Sequence, residues 1–426
     1  MKMENSPSQR RVLDRLSSLP PELINVILKR VSIRDVVRTS ALSRFWRCRW
    51  MLIPDLVFDP RSFPRQTITK PVDFINIVLL LHNGNVSQFE IKNVLDRYYP
   101  DVDRWLHLLA RKLVKVLILQ FPAGNVRCKL SSALFSCRNL RLLKLQWCIL
   151  NIPSYAKGFS CLVDLHLRNV SFTEETIACL IVNCPLTRLI LLACDGFTRL
   201  NIYAPNLQIF SFHGPCESIN FGNTPKLAYA SIGMLPFAGQ IPVTRHNGRR
   251  LSLQDLLGGL VNVKELHILK HFMKILVACN IVPGNLHVAF SRLKSFSLEL
   301  NFDEQSEILT AIKLCRSAPC LQLLTITNCS NRQLIHLNEG DSLQTRLQLG
   351  EYIFPHLVTV QLIGFKGGEY EMSFLQCILS NALVLEALSI QWDITCVPND
   401  QRRARVLESM LQFERVSPIA KVVFLN

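Results

Sequence analysis

The chain has 426 residues, of which 49% are hydrophobic, and it carries a formal net charge of +16. This length accommodates two or three ordinary domains, or one small domain followed by a repeat array, and the hydrophobic content excludes a disordered chain. The most apolar run, residues 74–81, is too short to cross a bilayer. The first residues are polar and charged and lack the apolar core of a secretory signal. We therefore expect a protein of the cytoplasm or nucleus that is not secreted.

The first predicted elements are three short helices within residues 14–50. Apolar residues recur at helical spacing over residues 22–31. Ser32 is expected to cap a second helix with Asp35 as its acidic partner, and Ser43 to begin a third. Three short helices in a segment of this size cannot bury all of their apolar side chains. Part of that apolar surface should therefore face a partner. The alternative is an ordinary helical subdomain packed on the rest of the chain.

Three motifs in this segment resemble the F-box of plants, most closely that of the F-box/FBD/leucine-rich-repeat family. They are Leu-x-x-Leu-Pro at 16–20, Val-Arg-Thr-Ser at 37–40 and Leu-Ser-x-x-Trp-Arg at 42–47. The resemblance implies an F-box at residues 10–55 that docks onto the Skp-type adaptor of a cullin-based ubiquitin ligase. The adaptor-binding residues that it implies are Leu16, Leu19, Pro20, Ile24, Ile27, Leu28, Val31, Val36, Val37, Leu42 and Trp46. Phe45 and Cys48 depart from the family pattern, but neither departure removes an apolar anchor.

The positive charge is concentrated around this segment. Residues 1–50 hold eleven Lys or Arg against four acidic residues. Skp-type adaptors are acidic in the family that the segment resembles, so the surplus is expected to steer that encounter. The alternative is a solvated basic face without a specific role. No zinc finger, RNP motif or basic zipper is present, so we expect neither nucleic acid nor a membrane as a partner.

The frame Leu-x-x-Leu-x-Leu, with apolar substitutes, recurs along the rest of the chain. Its copies begin at Val86, Val114, Leu140, Leu162, Leu186, Leu207, Leu227, Val263, Leu293, Leu321, Leu357 and Leu385. From Leu140 the spacings are 22, 24, 21 and 20 residues and then 28 to 36, as in leucine-rich repeats that carry insertions. Each frame predicts a short strand with inward apolar residues, followed by an irregular or helical return. The prediction is an α/β fold: a small helical F-box followed, over residues 56–350, by a curved leucine-rich-repeat solenoid with a parallel sheet.

The outward positions of these strands are the predicted substrate-binding surface. They mix charged, amide, imidazole and aliphatic side chains, which is more typical of a protein-binding surface than of a catalytic one. The candidates are Lys144, Gln146, Asp164, His166, Arg168, Arg188, His213 and Tyr229. A small molecule bound at the concave face is the alternative, since some plant F-box repeat proteins bind a hormone there.

Residues 351–426 resemble the FBD region of the same family. The resemblance rests on Phe354–Leu362, Glu369–Leu379, Val384–Ile390 and Phe413–Phe424. One apolar helix face is predicted from Met372, Leu375, Ile378 and Leu379, and Lys421–Leu425 is predicted as a last strand. Since a repeat array needs atypical ends, we expect this region to cap the solenoid.

No catalytic motif accompanies these patterns. The sequence has no Gly-x-Ser-x-Gly, P-loop, dinucleotide-binding or His-Glu-x-x-His motif. Fifteen scattered cysteines without a Cys-x-x-Cys pair indicate free thiols in a reducing compartment, and His267 with His271 lacks further ligands for a metal. We expect no cofactor, no metal and no enzyme activity. The expected partners are a Skp-type adaptor, through it a cullin scaffold, and an unknown substrate protein. A protein-interaction scaffold with a drifted F-box is the alternative from another class.

Overall fold

The structure is a computed structural model of the chain. It describes residues 17–63, 70–95, 100–124, 127–151, 158–182, 184–235, 253–279, 290–330, 354–394 and 400–425. The chain divides into two compact units, the first formed by residues 1–154 and 159–162 and the second by residues 155–158 and 163–426.

The first described elements of the first unit are three short helices. They are α1 (Pro21–Leu28), α2 (Ile33–Arg38) and α3 (Arg44–Arg49). Ser32 caps α2: its hydroxyl oxygen accepts the N–H of Asp35 at 3.3 Å, and its O–H donates to the Asp35 carboxylate at 2.7 Å. Ser43 caps α3 by accepting the N–H of Trp46 at 3.4 Å. The two predicted caps are confirmed.

The rest of the first unit is a parallel sheet with two helices. The sheet consists of β1 (Asp55–Phe58), β2 (Gln88–Lys92), β3 (Val116–Gln120) and β5 (Leu142–Gln146), in that order. In the sequence, α4 (Pro71–Leu81) connects β1 to β2, and α5 (Asp101–Arg111) connects β2 to β3. A separate pair is formed by β4 (Cys128–Leu130) and β6 (Cys148–Leu150). Strand β1 was not predicted, although Ile53, Leu56 and Phe58 fit the repeat frame and are buried.

The second unit contains a ten-stranded parallel sheet. Its strands are β7 (Asp164–Arg168), β8 (Arg188–Leu192), β10 (Ile209–Pro215), β12 (Tyr229–Leu235), β13 (Glu265–Ile268), β14 (Ser295–Leu300), β15 (Leu323–Asn328), β16 (Thr359–Phe365), β17 (Ala387–Trp392) and β18 (Lys421–Leu425). Neighbouring strands pair frame on frame, so that Leu189 lies beside Phe210, and Phe296 beside Leu324. The predicted α/β repeat fold and the strand Lys421–Leu425 are confirmed.

The hydrophobic core follows from the frame. The three apolar positions of each of the twelve predicted copies are at most 3% exposed. Period-two alternation therefore places one side of every repeat strand in the core and leaves the other side outward.

In the second unit, the length of a repeat decides whether a helix or a second strand connects its repeat strand to the next one. Longer repeats of the second unit carry helices, namely α6 (Glu174–Ile181), α7 (Leu253–Gly258), α8 (Lys270–Ala278), α9 (Gln305–Arg316), α10 (Glu369–Asn381) and α11 (Asp400–Leu411). The two shortest repeats instead return through β9 (Arg199–Tyr203) and β11 (Ser218–Asn223), which form a separate two-stranded parallel sheet. Those return strands were not predicted.

Carboxylates fix the turns between strands and helices. Glu174 of α6 accepts the backbone N–H groups of Thr198 at 3.2 Å and Arg199 at 2.9 Å. The N–H of Arg199 is the main cause that lowers the pKa of Glu174. On α10, Glu371 is buried beside Leu375 and Ile378, and Met372 of the predicted apolar helix face is half-buried.

Candidate partner-binding surfaces

The structure divides the predicted adaptor-binding residues into two groups. Ile24, Leu28, Val36 and Trp46 are buried within the first unit, so their side chains are not free to contact an adaptor directly. Treating them as contact residues needs correction: they hold the three helices together. The exposed members are Pro20, Ile27, Val31 and Leu42, the half-buried members are Leu19 and Val37, and Leu16 lies outside the described residues.

Other apolar side chains on the same helices are exposed but were not predicted as contacts. Leu23 and Val26 share the exposed side of α1 with Ile27, at the i, i+3 and i+4 positions. We use the name F-box apolar surface for the exposed side chains Leu23, Val26, Ile27, Val31, Leu42, Phe45 and Leu52. A helix that is apolar on both sides is buried or meets a partner, so this segment carries surface beyond what its own fold uses.

Exposed basic side chains lie in the same segment as the F-box apolar surface. Lys29 pairs with Asp55 at 2.7 Å and Arg38 with Asp35 at 3.3 Å. Arg30, Arg44 and Arg47 are exposed and make no ion pair among the described residues. Unpaired cations on a short helical segment favour an acidic partner surface.

A second candidate surface is the outward side of the ten-stranded sheet, which we call the repeat face. It consists of the side chains that alternate with the buried frame residues of β7, β8, β10 and β12–β18. The predicted substrate residues of the second unit, Asp164, His166, Arg168, Arg188, His213 and Tyr229, all lie on it. Lys144 and Gln146 occupy outward positions of β5 in the first unit.

Three of the predicted residues contact one another on the repeat face, and a fourth, Tyr229, contacts a residue that was not predicted to bind substrate. Asp164 accepts hydrogen bonds from His166 Nε2 at 2.7 Å and from an Arg188 guanidinium nitrogen at 3.4 Å. Tyr229 packs against His267 with ring centroids 5.1 Å apart. Burial lowers the pKa of His267, which leaves its imidazole neutral at neutral pH, and burial raises the pKa of Tyr229.

Two observations on the described residues concern metal binding and thiol reactivity. No group of three or more His, Cys, Asp or Glu side chains there could hold a metal ion. Burial raises the pKa of Cys137 and Cys216 to about 12 each, so both thiols stay protonated and unreactive at neutral pH. No helix in the described ranges is both long and apolar enough to span a bilayer.

A helical segment followed by parallel repeat strands and two outward surfaces defines an F-box protein with leucine-rich repeats. Sequence models of three families match: the F-box domain over residues 16–54, the LRR repeats of FBD-associated F-box protein At5g56370 over 102–326, and FBD over 351–390. The chain belongs to the plant F-box/FBD/LRR-repeat family. The domain boundaries at 55/56 and 350/351 stay predictions.

Several proteins of Arabidopsis thaliana are similar along most of their length. F-box/FBD/LRR-repeat protein At1g13570 is 33% identical over 419 residues, which cover 97% of this chain and 99% of the relative. F-box/FBD/LRR-repeat protein At5g56420 is 28% identical over 403 residues, or 88% of this chain and 91% of the relative. FBD-associated F-box protein At5g56370 is 28% identical over 270 residues, or 60% and 63%. The F-box and the repeats support a substrate-recognition adaptor role in general, and the F-box implies binding to adaptors of the Skp type.

Proposed function

We propose that this protein is the non-catalytic substrate receptor of a Skp–cullin–F-box ubiquitin ligase. The F-box apolar surface binds the Skp-type adaptor, which links the chain to a cullin scaffold. The repeat face binds a substrate protein. The chain then acts by raising the effective concentration of the substrate near the enzyme that transfers ubiquitin. The observation that carries the proposal is the set of exposed apolar side chains on the F-box helices and in the segments beside them.

The adaptor contact can be tested at one residue with a matched control. Leu42 is 69% exposed on the F-box segment, and Leu80 is 79% exposed on α4 outside the F-box segment. Truncation of an interface anchor commonly costs about 2 kcal/mol, so Leu42→Ala should weaken binding of a Skp-type adaptor by roughly 30-fold. Leu80→Ala removes the same side chain from an equally solvated position and should bind like the natural sequence.

The measurement is titration calorimetry of the full-length chain with purified adaptor, with circular dichroism to confirm that both variants fold. Equal affinities of Leu42→Ala and Leu80→Ala would contradict the assignment of the F-box apolar surface. If chain and adaptor elute separately at micromolar concentration, the protein is instead an interaction scaffold outside the ligase. A small molecule that the repeat face requires for substrate binding would make it a sensor.

We also propose that the protein works in the cytoplasm or nucleus. No disulfide joins any two of the fourteen cysteines within the described ranges, as expected in a reducing compartment.

A further inference from the structure

The middle positions of seven neighbouring strands of the repeat face form one continuous row of uncharged polar side chains. Strand register aligns them across β10 and β12–β17, so that each residue lies beside the next. The row consists of Ser211, Ser231, His267, Ser297, Thr325, Gln361 and Ser389. Every member is half-buried, and each side chain has hydrogen-bonding capacity as both donor and acceptor. We call this set the middle row.

Few charged residues share the outward positions of the seven strands that carry the middle row, in a protein with 48 Lys and Arg residues. No Lys or Arg occupies an outward position of the described strands β10 and β12–β17. The charged residues at those positions are Glu265 and Glu299. Glu299 is engaged, because it accepts the N–H of Lys270 at 2.9 Å. Glu265 is exposed and makes no ion pair among the described side chains.

Basic side chains near the strand ends do not reverse this pattern. Lys270 donates to the carbonyl oxygen of Cys329 at 3.1 Å, and Lys366 donates to that of Ser330 at 2.7 Å. Lys264 and Lys294 are exposed but precede the first residues of β13 and β14. The cations at the margin are thus bound to main-chain oxygens or lie outside the strands.

The composition of the row bears on the chemistry of the substrate. Phosphorylated or acidic segments are recognised by clusters of Arg, and nucleic acids by Lys and Arg that neutralise phosphates. The repeat face over β10 and β12–β17 has neither. An uncharged polar segment, in contrast, loses little free energy on leaving water, because hydroxyl and amide groups of the protein replace its hydrogen bonds to water. Six steps of about 4.8 Å between strands give a row of about 29 Å, which an extended segment of about nine residues spans.

We propose that the middle row binds an unphosphorylated, extended polypeptide segment of the substrate, rich in uncharged polar residues and carrying one basic residue opposite Glu265. This inference rests on the proposed function, since it names the substrate class of the same receptor. The receptor should then recognise its substrate before phosphorylation. Phosphorylation of the bound segment should prevent binding of the substrate.

The test is selection of a random decapeptide library displayed on phage against the full-length protein, followed by synthesis of the enriched peptides. We expect them to be uncharged apart from one Lys or Arg, and phosphorylation of a Ser or Thr in each should weaken binding at least tenfold. Glu265→Gln should remove the preference for the basic residue. The double variant Ser297→Lys with Thr325→Lys should abolish selection of the same peptides, whereas Asn201→Lys, an exposed position of β9, should leave binding unchanged.

Three results would overturn the inference: enrichment of acidic peptides, equal or tighter binding after phosphorylation, or enriched peptides that bind the double variant normally. A selection that enriches no decapeptide also overturns it, because it requires an extended segment. Adaptor binding is measured on the same preparations. Intact adaptor binding with any of these results leaves the ligase proposal in place, whereas lost adaptor binding with the expected peptides leaves the inference in place.

Discussion

A buried carboxylate at the start of α10 should stabilise the ends of two neighbouring repeat strands against that helix. Glu371 is 2% exposed. Its oxygens accept the N–H of Lys366 at 3.1 and 3.2 Å, the N–H of Gly368 at 2.7 Å and the side-chain amide of Asn328 at 2.7 Å. One side chain thus joins the end of β15, the turn after β16 and the first turn of α10.

Replacement of Glu371 by Ala removes the acceptor from three donors at once. Hydrogen bonds to a charged group contribute about 1.5–3 kcal/mol each. Two effects reduce the sum: the donors are half-buried and regain some water, and the desolvation that raises the pKa of Glu371 is relieved in the variant. We expect a net loss of about 3 kcal/mol in local stability. Glu371→Gln keeps one accepting oxygen, so the loss of local stability in this variant should be smaller.

Hydrogen exchange followed by mass spectrometry is the suitable assay, because repeat arrays unfold locally and one global midpoint would average over both units. Exchange in the segment around Lys366 and Gly368 should accelerate by about a hundredfold in Glu371→Ala. Glu369→Ala alters an exposed carboxylate two residues earlier on the same helix and should change exchange by less than threefold. If the two variants accelerate exchange equally, the network does not hold this turn.

Three further predictions concern charge and backbone. The pKa of Glu174 is lowered in the folded chain, so its carboxylate stabilises the fold by up to about 1 kcal/mol above its unfolded-state pKa, and this stabilisation is lost as the pH falls through its folded-state pKa. In urea unfolding, Glu174→Gln should therefore be less stable than Glu175→Gln at pH 7 and equally stable in acid. Gly196 has φ +93°, and a Cβ there would lie 2.6 Å from the carbonyl oxygen of Phe172. Gly196→Ala should therefore destabilise the fold by about 2 kcal/mol and lower the thermal midpoint. Gly258→Ala on α7, where a Cβ has open space around it, should not lower the midpoint. Raising the salt concentration should slow adaptor association in stopped-flow measurements while the dissociation rate changes little, and a salt-independent association rate would leave the basic surplus without a steering role.

The repeat strands could be predicted from the sequence because alternation of buried and outward residues is a local property. The frame at Ile53, Leu56 and Phe58 carried the same signal as the others, but it overlapped the end of the predicted F-box and was not counted as a repeat. The return strands β9 and β11 also alternate, with Leu200, Ile202, Ile219 and Phe221 buried. Their repeats are too short to hold a helix, and the spacing of about twenty residues could have indicated this.

The division of the F-box residues could not be predicted in the same way. Helix α1 has apolar residues on both sides, and helical periodicity alone does not show which side its own chain covers. Ile24 and Leu28 are buried, whereas Leu23 and Val26 are exposed. Leu28 lines a pocket together with Val36 of α2 and Val57 of β1. The decision depends on tertiary packing, which also explains why Phe45 and Leu52 were missed as exposed apolar residues.

The two candidate surfaces differ in the force that would bring a partner to each. Arg30, Arg44 and Arg47 of the F-box segment would act over about a Debye length. They would change how fast the proposed acidic adaptor arrives, and this effect would weaken as salt increases. The middle row has no charge of its own and would act only after contact, through short-range hydrogen bonds that salt screens little. The proposed contact of a basic substrate residue with Glu265 is the salt-dependent part of that binding. A chain with a net charge of +16 would attract polyanions wherever its cations were gathered. The absence of cations from the outward positions of β10 and β12–β17 would keep that non-specific attraction away from the proposed substrate-binding surface. Salt titration should therefore separate the two binding events on one intact molecule.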